Sequence, residues 1–360
     1  MSDIHSLDDT ALQGDPLLAG LLASRPPKIT PSSAESFVRE HWGIVGHAKE
    51  IACERDQNFR IEAPSGSGYI FKLSNPHEDP QNTNFQTEAL RWVEKTDPGL
   101  PVPRSVPALN ACHEVTLALP DGRRSVSRVL SWIDGIPMHQ VTITHKMHTE
   151  IGAILARLGR AISAFDHPGA RHALLWDITN VPRLRPLTGA LADDAVGQMV
   201  RDELDYFVNH VATPLAALRR QIVHNDLNHH NLLVDPSDRE RIVGMLDFGD
   251  MVETHLAIDV AVAASYLADS EDPVGAICRM VAAYHAVTPL QVQEVALLRD
   301  LIVGRLITSI IITTWRASRY PENAAYILRN NGPARAAMAH FAKLPRQQVT
   351  RALMRACDME

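Results

Sequence analysis

Two apolar runs, Leu232-Leu233-Val234 and Ile242-Val243-Gly244-Met245-Leu246, stand either side of the turn-rich Asp235-Pro236-Ser237-Asp238. This pattern predicts an antiparallel hairpin. Its open end constrains the surroundings. Asn231 enters the first strand and Asp247 leaves the second, so antiparallel pairing sets an amide oxygen and a carboxylate side by side. The run leading in, His224-Asn225-Asp226-Leu227-Asn228-His229-His230, brings a second carboxylate, Asp226, to the same end. One ion could touch both Asn231 and Asp247, and a neutral plus an anionic oxygen suit a hard cation such as Mg²⁺ that keeps several of its own waters.

Transfer of a phosphoryl group to a hydroxyl needs a carboxylate that orients the nucleophile and takes its proton, with divalent cations where charge accumulates. Asp226 fits the first role as catalytic base, and Asn231 and Asp247 fit the second as metal ligands. A zinc site made of His224, Asp226, His229 and His230 is the competing reading, but it leaves Asn231 and Asp247-Phe248-Gly249 unused. His224 is read instead as a structural residue that bonds nearby backbone, with His229 and His230 as partly solvated loop residues.

At 360 residues, 45% of them hydrophobic, the chain exceeds the usual single-domain size and two lobes are expected. A formal charge of −7 with no dense Lys/Arg block argues against nucleic-acid binding and is compatible with a cationic or zwitterionic small substrate. Cys53, Cys112, Cys278 and Cys357 are too scattered for a disulfide framework. With no basic and apolar leader at the start, they point to a cytoplasmic protein. The longest apolar stretch, residues 301–315, is shorter than the ~20 residues of a membrane span and contains Arg305, so a buried helix is expected and no membrane association. Oligomeric state is not legible.

Residues 1–30 read as a loosely held extension. Residues 32–35 fit a capping box opening a helix that stops before Gly43. Strand-like segments follow at 48–53, 59–63 and 69–73, then a helix at 84–95 with Phe85, Ala89, Trp92 and Val93 on one face, then strands at 114–118 and 125–130. Past a connector at 131–135, helical spacing dominates: 144–164, 194–217, 257–267, 274–285, 289–318 with a break allowed, and 323–343. The expected fold is α+β, protein-kinase-like and bilobal. An amino lobe over 31–134, a small antiparallel sheet with a helix, would bind nucleotide. A mainly helical carboxyl lobe over 135–360 would carry catalysis and substrate.

Such an amino lobe should hold a Lys on its third strand and an acid on the next helix, a pair that grips nucleotide phosphates. Lys72 and Glu88 occupy those positions. The expected Gly-rich phosphate loop is missing: the first turn reads Glu54-Arg55-Asp56-Gln57-Asn58-Phe59, and Ser65-Gly66-Ser67-Gly68 comes one turn late. Backbone N–H groups would have to cradle phosphate without glycine. The interval from Asp247 to Asp259 is too short for an activation segment, which argues against a protein kinase.

Together these residues resemble the aminoglycoside phosphotransferase (choline kinase-like) superfamily, and in detail its hydroxylysine kinase branch. The resemblance spans about 44–341. It is carried by Asp56-Gln57-Asn58-Phe59, Lys72-Leu73-Ser74-Asn75, Trp176 with Asn180-Val181-Pro182, the loop from His224 to Asn231, Gly244 through Met251, and Tyr320-Pro321-Glu322-Asn323. Asn225 stands where the pattern has Gly, and His229 where it has an acidic or amide residue. The resemblance implies transfer of the γ-phosphoryl of ATP or GTP, with Mg²⁺, to the hydroxyl of 5-hydroxy-L-lysine or a similar amino alcohol. It further implies Gln57, Asn58 and the connector around Leu130 and Trp132 on the nucleotide, and Asp259 as a structural brace of the catalytic loop.

For an amino-acid acceptor, Arg305 would meet the substrate carboxylate or pair internally with Asp259. Asp177, Asp250 and Glu253 would face ammonium groups, with Trp176 as a packing surface. The alternatives are the same chemistry on homoserine, choline, a hydroxy acid or an aminoglycoside, or a catalytically silent nucleotide-binding module.

Overall fold

In the computed structural model, which describes residues 26–360 apart from Glu54 and Ser67, helix α1 (Pro31–Trp42) is opened by Thr30. The Thr30 hydroxyl accepts from the Ser33 amide at 3.1 Å, Pro31 presets the first turn, and Gly43 closes the helix at φ 68°. The capping box expected over residues 32–35 does not form, because the Glu35 carboxylate reaches out to the Ala48 amide. Of the expected extension, residues 1–25 lie outside the described residues. Its end is not loose: Ile29 is buried, and its N–H and C=O both pair with the Gln57 side chain.

Strands β1 (His47–Ile51), β2 (Gln57–Glu62) and β3 (Gly68–Leu73) precede helix α2 (Pro80–Thr96), and β4 (Ser105–Val106), β5 (Val115–Ala118) and β6 (Arg124–Ser131) follow it. They form one antiparallel sheet in the order β1-β2-β3-β6-β4, with β5 also on β6. Strand alternation sorts the side chains. Phe59, Ile61, Phe71 and Leu73 close a small core with Ala34, Val38 and Trp42 of α1. Asn58 and Lys72 are cross-strand partners, and Lys72 in turn pairs with Arg128. This second set faces the other lobe.

Helix α2 begins four residues before its expected start because Asp79 caps it, accepting from the Gln81 amide at 2.9 Å. Its apolar face of Phe85, Ala89, Leu90 and Val93 belongs to the core of the carboxyl lobe. The Trp92 indole donates to the Ala161 carbonyl at 3.0 Å, and Arg157 holds Asp97 through two bonds of 2.6 Å. Packing of α2, as well as the connector, therefore joins the lobes.

The carboxyl lobe contains β7 (Ile136–Pro137), α3 (His145–Ala161), α4 (Ala195–Tyr206), β8 (Arg220–Val223), β9 (Leu232–Val234), β10 (Ile242–Met245), β11 (Val252–His255), α5 (Leu256–Ser265), α6 (Pro273–Val287), α7 (Val292–Arg319), α8 (Asn331–Phe341) and α9 (Arg346–Ala356). The expected hairpin is β9–β10, with β7 on its edge, and β8 pairs with β11. Helix α7 runs unbroken for 28 residues through the core. The helix expected over 323–343 is divided: short turns at Ala324–Ile327 and Leu328–Asn330 precede α8, and these turns border the cleft between the lobes. Among the described residues no helix is long and apolar enough to cross a membrane.

Candidate active site

The loop after β8 is fixed from both sides. The Asp226 amide donates to His224 Nδ1 (3.3 Å), which leaves the proton on Nε2 to donate to the Leu246 carbonyl (3.0 Å). The His224 ring also packs edge-on against Phe248. Asn225 has φ 61°, a left-handed backbone that Gly adopts freely and Asn tolerates, so the turn survives the change from Gly. The Asn225 amide donates to the buried Asp259 carboxylate at 2.8 Å, tying the loop to α5.

Asp226 stands at the tip of this loop. Its Oδ1 accepts from Arg305 Nη2 at 2.7 Å, and its Oδ2 accepts from the side-chain amides of Asn228 and Asn231, each at 3.0 Å. A carboxylate offers about four acceptor positions, so one is left, and the group lines the cleft. Burial pushes the Asp226 carboxyl up to about 7. Arg305 opposes the rise, and the charges of Asp250 and Asp247 add to it. A base near neutrality is well matched to accepting a proton from an alcohol.

Asn231 spends its Nδ2 on the Asp226 backbone carbonyl (2.8 Å) as well as on the carboxylate, which turns its amide oxygen the other way. The Leu246 amide donates to the Asn231 carbonyl at 2.8 Å, so Asn231 and Asp247 meet at the open end of the hairpin. Desolvation resists the charge on Asp247, yet Lys72, the Gly249 amide and Arg55 outweigh it and hold the carboxyl below the usual range. An amide oxygen and a charged carboxylate beside an open cleft fit Mg²⁺. Among the described residues no group of three or more His, Cys, Asp or Glu could hold a metal ion, so the zinc reading has no ligand set.

The cleft has a volume of about 350 Å³. On its upper side the glycine-free turn is shaped by Asn75, whose amide donates to Asp56 Oδ1 and whose side chain donates to the Arg55 carbonyl, both at 3.0 Å. Arg55 crosses the cleft to Asp250 at 2.9 Å. Lys72 and Asn58 line the cleft as well.

A model of the phosphotransferase enzyme family (APH) matches residues 47–295, a span that takes in the Lys72 strand, the Asp226 loop and Asp247. The chain belongs to that family. The hydroxylysine kinase of Mus musculus is 29% identical over 331 residues, 85% of this chain and 87% of the relative. The hydroxylysine kinase of Danio rerio is 24% identical over 332 residues, covering 88% and 92%. A microcompartment-associated aminopropanol kinase superposes with a TM-score of 0.67 at 18% identity, over 90% of this chain and 99% of that one. The fold of this phosphotransferase is thus the bilobal, protein-kinase-like α+β architecture.

Several expected site residues of the phosphotransferase stand elsewhere. Glu88 pairs with Arg91 at 2.7 Å and does not border the cleft. The cleft side of α2 presents Thr83 and Gln86, with Glu78 just before the helix. Gln57 is buried and bonded to Ile29 and Glu50. Leu130 lies within the sheet. The Trp132 amide is spent on the Gly68 carbonyl, and its indole is bonded to Asp134 and covered by Arg60. Asp177 is buried, caps the turn that follows it and accepts from Thr254. Glu253 pairs with Arg171 at 2.9 Å, away from the cleft. Asp250 and Trp176 do line it. Asp259 is taken by Asn225, so Arg305 pairs with Asp226 instead, donates to the Trp176 carbonyl at 3.3 Å and lies 5.3 Å from the Trp176 ring centre. The Asp79-Pro80 start signal would have found the cleft side of α2. Nothing local marks Arg55, and Asn75 stands in the Lys72–Asn75 segment that carries the resemblance but implies no role for it.

Proposed function

We propose that the protein is a cytoplasmic, Mg²⁺-dependent kinase that transfers the γ-phosphoryl of ATP or GTP to the side-chain hydroxyl of 5-hydroxy-L-lysine or a similar small amino alcohol. The observation that carries this reading is Asp226, partly buried, oriented by three donors and left with an acceptor position toward the cleft. In this reading Asp226 takes up the hydroxyl proton as the oxygen attacks, while Lys72 and Asn58 meet the nucleotide phosphates. Asn231 and Asp247 would hold the cation, which when bound neutralises charge building on the phosphate oxygens. The hydroxylysine kinase relatives, matched along nearly their whole length, support the acceptor class.

Release of nucleoside diphosphate, measured with ATP and GTP against hydroxylysine, homoserine, choline, hydroxy acids and an aminoglycoside, tests the reading. Stimulation led by hydroxylysine is expected, and stimulation by another alcohol alone would discard the acceptor. Asp226→Asn should keep nucleotide affinity and lower kcat by about 100-fold or more. Unchanged turnover would remove Asp226 from the chemistry.

A further inference from the structure

Past Asp226 the cleft is walled by one face of α7 and by the turns Ala324–Ile327 and Leu328–Asn330. Arg305, Ser309, Thr313 and Arg316 follow at intervals of four, four and three, which keeps them on one side of the helix. This wall contributes three arginines, 305, 316 and 329, and no acid. Arg305 is committed to Asp226. Arg329 has no carboxylate within ion-pair distance among the described residues, and its guanidinium lies 4.1 Å from the Tyr326 ring centre, which orients it without cancelling its charge. The turn that carries it stands near the catalytic loop, close enough for Arg329 and Asn330 both to act on the His230 ring. A cation is thus held beside the loop that carries Asp226, on a wall unsuited to a polycationic acceptor.

We propose that Arg329 receives a carboxylate of the acceptor, so that the site selects hydroxylated acids, hydroxyamino acids among them, over amino alcohols that lack this group. The proposal rests on the acceptor occupying the Asp226 side of the cleft, as in the function proposed above. A guanidinium meets a carboxylate through paired N–H donors, a geometry that a neutral alcohol or an ammonium group cannot return.

Matched acceptors test it: hydroxylysine against the diamino alcohol left when its carboxylate is removed, and homoserine against aminopropanol. KM and kcat are measured for the wild type, Arg329→Gln and Arg329→Lys, together with KM for ATP. The wild type should favour the carboxylate-bearing member of each pair. Arg329→Gln should raise the KM of that member by about 10- to 100-fold and leave the KM of its partner and of ATP within about twofold, with partial recovery in Arg329→Lys. Equal losses on both members, a rise confined to ATP, or no wild-type preference would overturn the proposal. If no alcohol is turned over, the proposed reaction fails, and calorimetry of lysine against the diamine lacking its carboxylate decides the subsite. Binding of lysine that weakens in Arg329→Gln supports it, and an absence of lysine binding overturns it.

Discussion

Arg305 and Asp226 form the exchange on which the site depends at the residue scale. Each is a costly charge to bury alone, and together they set the Asp226 carboxylate in one orientation. Arg305→Gln should therefore lose about 3 kcal/mol of stability in chemical denaturation, and kcat should fall by about 100-fold because the carboxylate is no longer positioned. A stable variant with normal turnover would show that Asn228 and Asn231 suffice. Asn225 makes the opposite case. It holds a left-handed φ, and both polar atoms of its side chain are buried without partners. Asn225→Gly should raise stability by about 1 kcal/mol while activity is retained; a loss would mean that the amide has a role in the site. The juxtaposition of Asp226, Asn231 and Asp247 was read from spacing, since a hairpin needs only local pairing to bring its ends together. The partner of Arg305 could not be read in this way, because it lies 79 positions away.

Among the elements, β9–β10 was legible because two apolar runs and a turn leave one local solution. Strands β4 and β7 have two residues each, too few to show alternation, and they exist because longer neighbours offer them an edge. Helix α2 was found by its apolar face, but its start and its cleft side were missed, so Glu88 was expected where Gln86 and Glu78 stand. The pairing of α3 with α6 shows how tightly such elements are specified. A Cβ on Gly152 would lie 2.0 Å from the Met280 carbonyl oxygen, so glycine alone allows the two helices to approach this closely. Gly152→Ala should destabilise the protein by roughly 2–3 kcal/mol in urea unfolding. A change near zero would require α3 and α6 to separate without loss of packing.

For the whole molecule, the lobes are held together by α2 in the lower core and, across the cleft, by Arg55 and Asp250. The second contact is half exposed on the arginine side and contributes under about 1 kcal/mol to stability. In the proposed function the nucleotide enters the cleft that Arg55 lines, so Arg55→Ala should leave the unfolding midpoint nearly unchanged and raise the KM for nucleotide by about 5- to 10-fold. An unchanged KM would separate this contact from nucleotide binding. The bilobal class and the hairpin that brings Asn231 and Asp247 together beside the Asp226 loop were determined by sequence alone, because they rest on periodicity, turn chemistry and residues close together in the chain. The tertiary structure decided which acids face the cleft, what Arg305 holds, how a turn without glycine keeps its shape and where a free cation such as Arg329 stands. Those properties depend on which distant surfaces bury one another, and burial and charge pairing exist only after the chain has packed.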